Sequence, residues 1–260
     1  MDQDRIAAAA ALVVEARLER RRLGRLTGIE GLEDGYAVQQ RANAALEEHL
    51  GPRVGHKIGG TTAPMRAYIN VPEPVAGEIF ATIAHPDGAR LKLRDFVRPG
   101  VETEIAARLG TDLPARGQPY TREEVAEAVD AVMAAIEVVD DRYEDFRAVG
   151  AATLVADNAF DAGSLLGEPV RDLDPLDTGS LRARTMKDGR LVAEGLSDLL
   201  MGHPMDALAW LANRRSRLGL GLDADSFVSL GSITPVQWVE TPSAFRIEVE
   251  VLGAVEVVFA

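Results

Sequence analysis

The sequence predicts a mixed α+β fold, and three observations carry that reading. Residues 1–52 have a helical texture, with alanines and leucines set among charged residues at helical spacing. From Arg53 onward glycine and proline become frequent, and apolar runs shorten to strand length. The later elements do not alternate regularly as strand and helix, and neither a GxGxxG turn nor a Walker lysine loop is present, so a doubly wound nucleotide-binding sheet is excluded.

Taken in order, residues 4–23 form the first expected helix, with Gly24 to end it. Residues 27–31 connect it to a second helix over 34–50, stopped by Gly51-Pro52. Strands are expected over 54–58, 89–93, 101–109 and 136–140. Thr121-Arg122-Glu123-Glu124 has the capping-box pattern, which predicts a helix running towards Met133. His203-Pro204 precedes a helix over 205–218. The chain then closes in strands over 226–233, 245–251 and 254–259, the last two joined at Leu252-Gly253 as a hairpin. No long linker separates these parts. Residues 1–52 are expected to be a helical segment packed on the core, and residues 53–260 one β-rich catalytic unit.

The net charge of -13 argues against nucleic acid and anionic membranes as partners. The absence of cysteine removes disulfides, thiolate nucleophiles and cysteine-ligated zinc. His49, His56, His85 and His203 lack HExxH spacing. The alanine-rich stretch at 7–14 is too short to span a bilayer, no secretory signal is apparent, and a cytoplasmic location is expected.

Chemistry concentrates at Glu102-Thr103-Glu104. A strand places residues i and i+2 on one face, so these carboxylates point the same way among Val101, Ile105 and Ala106. Like charges on a buried face need a cation, a shared proton or water. Glu137 lies in a second apolar run, and the three acids together suggest an oxygen-ligand site for a hard divalent ion. The plainer reading of any one glutamate is a solvated surface acid; the joint pattern outweighs it. Asp140 and Asp141 are further ligand candidates or the start of a turn. Lys57, before the Gly59-Gly60 pair, can hold a substrate carboxylate or move a proton, or is a surface lysine on a glycine loop. His203 reads as a helix cap, Asp157-Asn158 as an Asx turn, and Gly231-Ser232 as a pocket lining or a turn.

These pieces resemble, in order and spacing, the 2-keto-4-pentenoate hydratase / 4-oxalocrotonate decarboxylase family of the fumarylacetoacetate hydrolase superfamily. The matching motifs are Gly55-x-Lys57-x-Gly59-x-Thr61, Val101-Glu102-x-Glu104-Ile105-Ala106, Glu137-Val138-Val139-Asp140-x-Arg142, Asp157-Asn158, Gly202-His203-Pro204 and Gly231-Ser232. The resemblance implies a β-rich, roll- or barrel-like core with N-terminal helices, and a homo-oligomer. It implies that Glu102, Glu104 and Glu137 bind Mg²⁺ or Mn²⁺, and that Lys57 is catalytic. Thr61, Asn158 and Ser232 are expected at the substrate, a 2-oxo or 2-hydroxydienoic acid from aromatic ring cleavage.

Two positions depart from the family pattern. Hydratases of the family have a proton-transferring Asp in a Pro-Asp-x-Gly segment; here the run is Pro74-Val75-Ala76-Gly77, as in the decarboxylases. Phe160 stands where a small polar residue is usual. Hydratase is the expected activity, with a 4-oxalocrotonate decarboxylase-type enzyme next and a non-catalytic relative as a further alternative. A C–C hydrolase would need a Glu–His pair, for which only His49 and His56 are near.

Overall fold

The structure is a computed structural model that describes residues 2–260. Two helices come first: α1 (Gln3–Glu19), capped by the Asp2 side chain, and α2 (Leu32–Leu50). Then follow β1 (Arg53–Gly59), α3 (Ala63–Ile69), β2 (Val75–Phe80), β3 (Ala84–His85), β4 (Ala89–Leu91), β5 (Pro99–Leu109), α4 (Arg122–Glu127) and β6 (Val129–Asp140). The second half holds α5 (Ala151–Ala156), β7 (Asp161–Leu166), β8 (Arg182–Lys187), β9 (Arg190–Leu196), α6 (Pro204–Arg217), β10 (Phe227–Ser232), β11 (Gln237–Trp238), β12 (Ser243–Val249) and β13 (Gly253–Phe259).

The larger sheet is mixed and runs β2-β1-β10-β5-β6-β7-β3, with β11 added beside β5. The smaller sheet runs β4-β13-β12-β8-β9. Side-chain alternation on β5 and β6 divides the molecule. Val101, Ile105 and Ala107, with their cross-strand partners Val138, Ala134 and Val132, share one buried cluster with Phe245, Ile247 and Val257 of the smaller sheet. Thr103 joins Thr185 of β8 through a buried hydroxyl–hydroxyl bond of 2.6 Å. The opposite face of the same two strands carries Glu102, Glu104 and Glu137. On that side α1, α2 and α5 form a second apolar cluster that reaches Val75, Val139 and Phe160.

The mixed α+β class and the curled β-rich core agree with the sequence reading, while several boundaries differ. The capping box at Thr121 forms as expected, but its helix ends at Glu127 and Met133 lies in a strand. The Ala-rich run reads as helix because β6 is buried on both faces, which leaves no polar alternation to mark a strand. The first helix stops early because Arg20 takes a left-handed conformation (φ 55°). The strand begun at Ala89 ends at Leu91, and the last hairpin turns earlier than expected, with Val251 in its left-handed turn (φ 58°). Strands β2, β7, β8 and β9 and the short helices α3 and α5 went unmarked in the sequence.

Candidate active site

Glu102 and Glu137 are direct cross-strand partners on the antiparallel β5–β6 ladder, and Glu104 lies two residues along the same face. One ligand atom of each carboxylate lies within 4.8 Å of those of the other two. Glu104 Oε2 accepts the Ser229 hydroxyl and, at 3.2 Å, the Gly231 N–H, both from β10. Glu104 Oε1 and Glu137 Oε2 are buried with no hydrogen-bond donor, and Glu137 Oε1 has only the Lys57 ammonium. Burial, and after it the charge of Glu137, pushes the Glu102 carboxyl up to about 8. Burial followed by Glu102 pushes Glu104 up to about 7. Burial also holds Glu137 well above the usual carboxylate range.

Lys57 extends from β1 into this group and is 3% exposed. Its Nζ lies 2.8 Å from Glu137 Oε1 as an ion pair and donates to the Ala159 carbonyl at 2.8 Å. Burial alone would favour the neutral amine, but Glu137, Glu102 and Glu104 more than offset it and raise the lysine above its ordinary range. Fully ionised, three carboxylates against one ammonium would leave two uncompensated negative charges, and their raised pKa values express that cost. That imbalance, with Glu104 Oε1 and Glu137 Oε2 lacking donors, fits a divalent cation held by hard oxygen ligands. Glycine makes room for the lysine stem. A Cβ at Gly77 would stand 3.0 Å from both Lys57 Cδ and Asn158 Oδ1.

The acceptor of Lys57 sits in an unusual turn. Asn158, Ala159 and Phe160 all have left-handed backbones (φ 58°, 49° and 68°). Such a conformation costs about 1–2 kcal/mol per non-glycine residue, so side-chain anchors must compensate. The turn aims the Ala159 carbonyl at Lys57 and sets Phe160 in the same cleft lining as Glu102. Phe160 packs edge-on to Tyr143 and Phe146. Beside Glu102 is a small cleft of about 20 Å³, walled by Met65, Tyr68, Phe146, Phe160, Val236 and Trp238. Among the described residues lining it, Glu102 is the only charged one.

The structure brings Glu102, Glu104, Glu137 and Lys57 together, whereas other residues singled out in the sequence do different work. The Asn158 amide is occupied: Nδ2 donates to the Glu78 carbonyl and Asp161, and Oδ1 accepts from the Glu78 N–H and Asn43. Ser232 pairs with Glu104 in the ladder, but its hydroxyl donates to the Thr234 carbonyl at 2.7 Å. Thr61 is buried against Gly231, where any Cβ would collide with its side chain. Asp140 accepts the Val97 and Arg98 N–H groups, and Asp141 pairs with Arg98 at 3.0 Å. Asp157 makes no Asx turn: it pairs with Arg142 at 3.0 Å and accepts the Tyr143 hydroxyl at 2.8 Å. His203 caps α6 through Nδ1, as its place before Pro204 suggested.

Val75 is fully buried. It pairs with Gly59, two residues from the Lys57–Gly77 pair, so its side chain occupies the same face as Lys57. Glu78 lies on the opposite face, paired to Arg53 at 3.0 Å, and Glu73 is exposed outside β2, so neither acid replaces it. His56 shares the Glu78 side of the sheet, and burial with Arg215 and Arg53 nearby lowers its pKa to about 3. Sequence reasoning missed Ser229 and the Ala159 carbonyl, and read Gly231 as a pocket lining or turn without its bond to Glu104. Strand alternation back from Gly231 could have pointed to Ser229; nothing local marks Ala159.

No family model matches the chain. It is 34% identical to the 2-keto-4-pentenoate hydratase of Burkholderia vietnamiensis, over 99% of this chain and 98% of that protein. It is 30% identical to a 4-oxalocrotonate decarboxylase of Pseudomonas putida, over 87% and 84%. The 4-oxalocrotonate decarboxylase from Pseudomonas putida G7, complexed with magnesium and adipate, superposes with a TM-score of 0.92 at 27% identity, covering 100% of this chain and 99% of the other. The fold extends to fumarylpyruvate hydrolase from Pseudomonas aeruginosa, with a TM-score of 0.64 at 18% identity over 80% of this chain and 89% of the other.

Proposed function

The chain belongs to the 2-keto-4-pentenoate hydratase / 4-oxalocrotonate decarboxylase family of the fumarylacetoacetate hydrolase superfamily, and on that premise we propose that it is a divalent-metal-dependent hydratase of small 2-oxo and 2-hydroxydienoic acids. The observation that carries the reading is the buried grouping of three carboxylates with Lys57. Glu102, Glu104 and Glu137 would hold Mg²⁺ or Mn²⁺, which when bound supplies Lewis-acid stabilisation of negative charge developing on the 2-oxo acid.

The remaining steps belong to the chain's own groups. Ser229 and Gly231 fix Glu104 Oε2 and leave Oε1 free to act as a ligand. Lys57, charged and held between Glu137 and the Ala159 carbonyl, delivers a proton to substrate carbon, hydroxide from water adds to the conjugated alkene, and the proton that water releases returns to the neutral lysine. The collar formed by Tyr68, Phe146, Phe160 and Trp238 presents an apolar wall beside Glu102, against which an apolar tail would pack. Its lining carries no cation among the described residues, but Arg147 stacks on Tyr68 and Phe146 and Arg98 on Trp238, so the collar does not by itself select a monoacid.

One observation favours a decarboxylase of the 4-oxalocrotonate type. Val75 leaves an apolar surface beside Lys57, where a water-activating acid would serve hydration. Turnover of a 2-oxo-3-enoate monoacid and of the corresponding diacid, each with Mg²⁺, separates the two. Hydration of the monoacid is expected. Carbon dioxide release from the diacid without hydration of the monoacid would reverse the choice.

A further inference from the structure

We propose that Asp161 is a positioning residue for Lys57, acting through Asn158 and held in place by Arg17 of α1. This rests on the reading of Lys57 as the proton-carrying group. Asp161 opens β7 immediately after the left-handed turn and is wholly buried. A single oxygen, Oδ2, accepts two donors: Arg17 Nη2 at 3.3 Å and Asn158 Nδ2 at 3.1 Å. Asn158 is the first residue of the turn, and its amide also clamps both the N–H and the carbonyl of Glu78 on β2. Arg142 Nη2 reaches the carbonyls of Asp157 and Asp161, at 3.3 and 3.4 Å, one on each side of the turn. The chain of contacts ends at the Ala159 carbonyl, the acceptor of the Lys57 ammonium.

The carboxylate charge matters because two buried guanidiniums meet here. The Arg17 side chain is 6% exposed and that of Arg142 4% exposed. Asp157 serves Arg142, so Asp161 is the counter-charge of Arg17. An asparagine at 161 would keep an acceptor for Asn158 but leave Arg17 unneutralised beside Arg142, and the anchor of the turn would shift. The three metal-ligand candidates are tied elsewhere, to the β5–β6 ladder and to Ser229 and Gly231 of β10. Loss of the Asp161 anchor should therefore move Lys57 and leave the carboxylates in place.

The test uses Asp161→Asn, Arg17→Met and Arg17→Lys in the full chain, with kcat, KM and Mn²⁺ affinity measured for each. Asp161→Asn and Arg17→Met should each lower kcat about 10–100-fold, as displacement of a reacting group does. KM and Mn²⁺ affinity should stay close to those of the parent, and Arg17→Lys should restore most of the lost kcat. If Asp161→Asn does not fold, Arg17→Met carries the test from the other end of the pair. An unchanged kcat overturns the proposal, as does a parallel loss of Mn²⁺ affinity. A crystal structure of the folded variant adds a readout independent of activity. Displacement of Lys57 Nζ from the Ala159 carbonyl supports the proposal, and an intact turn with Lys57 in place overturns it. Lys57→Met, assayed alongside, separates the two readings: full activity there defeats the catalytic role of Lys57, while the crystal structure still decides what Asp161 positions.

Discussion

Glu102 and Glu137 face each other directly across the β5–β6 ladder, in a position where unlike charges or apolar side chains would be stable and two carboxylates are not. The site is thus built at the expense of the metal-free fold, and that cost gives it measurable properties.

The first concerns pH. Glu102 and Glu104, raised to about 8 and about 7 from 4.5, hold protons in the folded chain that the unfolded chain releases. Their contribution to stability is fully present below about pH 4.5 and is lost as pH rises through 7 and 8. His56 acts oppositely and lower down: with its pKa depressed from 6.5 to about 3, its contribution is lost as pH falls below 6.5. Melting temperature in chelator should therefore fall between pH 6.5 and 8, and the gain on adding Mg²⁺ should be greatest at the alkaline end. A chelated protein that becomes more stable across this window would contradict the assignment.

Glu104→Gln should abolish metal binding and activity together. The amide oxygen can still accept from Ser229 and Gly231, while the charge needed for a cation is gone. Mn²⁺ affinity should fall at least about 100-fold and the metal-free protein should melt no lower than the parent, since a neutral group replaces a buried charge. Retained turnover would remove the metal from the mechanism.

Lys57→Met should lower kcat by about 10²–10⁴, the usual worth of a positioned acid or base. Its removal leaves Glu137 without its ammonium neighbour, so Mn²⁺ should bind at least as tightly as before. Titration calorimetry and steady-state kinetics on one preparation check both outcomes; weakened metal binding would mean that the lysine supports the ligands rather than the reaction.

Gly77→Ala tests the passage through which the lysine reaches the site. The new methyl would meet Lys57 Cδ and Asn158 Oδ1 at 3.0 Å, inside ordinary contact. Overpacking of this kind costs about 1–3 kcal/mol. A lower unfolding midpoint with a reduced kcat is expected, and wild-type values of both would show that the lysine stem has slack.

Phe160→Ala enlarges the collar. Relative kcat/KM for 2-oxo acids with longer tails should rise about tenfold over the short substrate, the order that a few methylenes are worth in an apolar pocket. The ring is 7% exposed and packs on Tyr143 and Phe146, so stability should drop by about 3 kcal/mol or more. An unchanged preference would place the tail elsewhere.

Glu102, Glu104 and Glu137 were legible in the sequence because strand alternation is a strong rule and their apolar brackets are unambiguous. Lys57 was legible locally as a lysine before glycines and through the family resemblance as catalytic, but its place beside Glu137, three strands away in the sheet, was not. β6 was half hidden, since burial of both faces erased its period. β2 and β7 are short and glycine-bearing, so neither shows a period long enough to read. Arg17 and Asp161 stand 144 residues apart, and no local pattern joins them. The left-handed turn at 158–160 contains no glycine, the usual signal for such a backbone.

The alternation along β5 and β6 binds the chemistry of this protein to its folding. One face of the ladder is the seam between the two sheets and the other bears the ligands. Slipping the pairing by a single residue would leave Glu137 on the face opposite Glu102 and Glu104, scattering the ligands and turning the seam's hydrocarbon towards the site. No partial version of this centre can exist with its carboxylates moved a little along the strands. Descendants of this chain can acquire new substrates by altering what surrounds the ligands, at Val75, Phe160 or the collar, because any change of register in the ladder would disperse the ligands themselves.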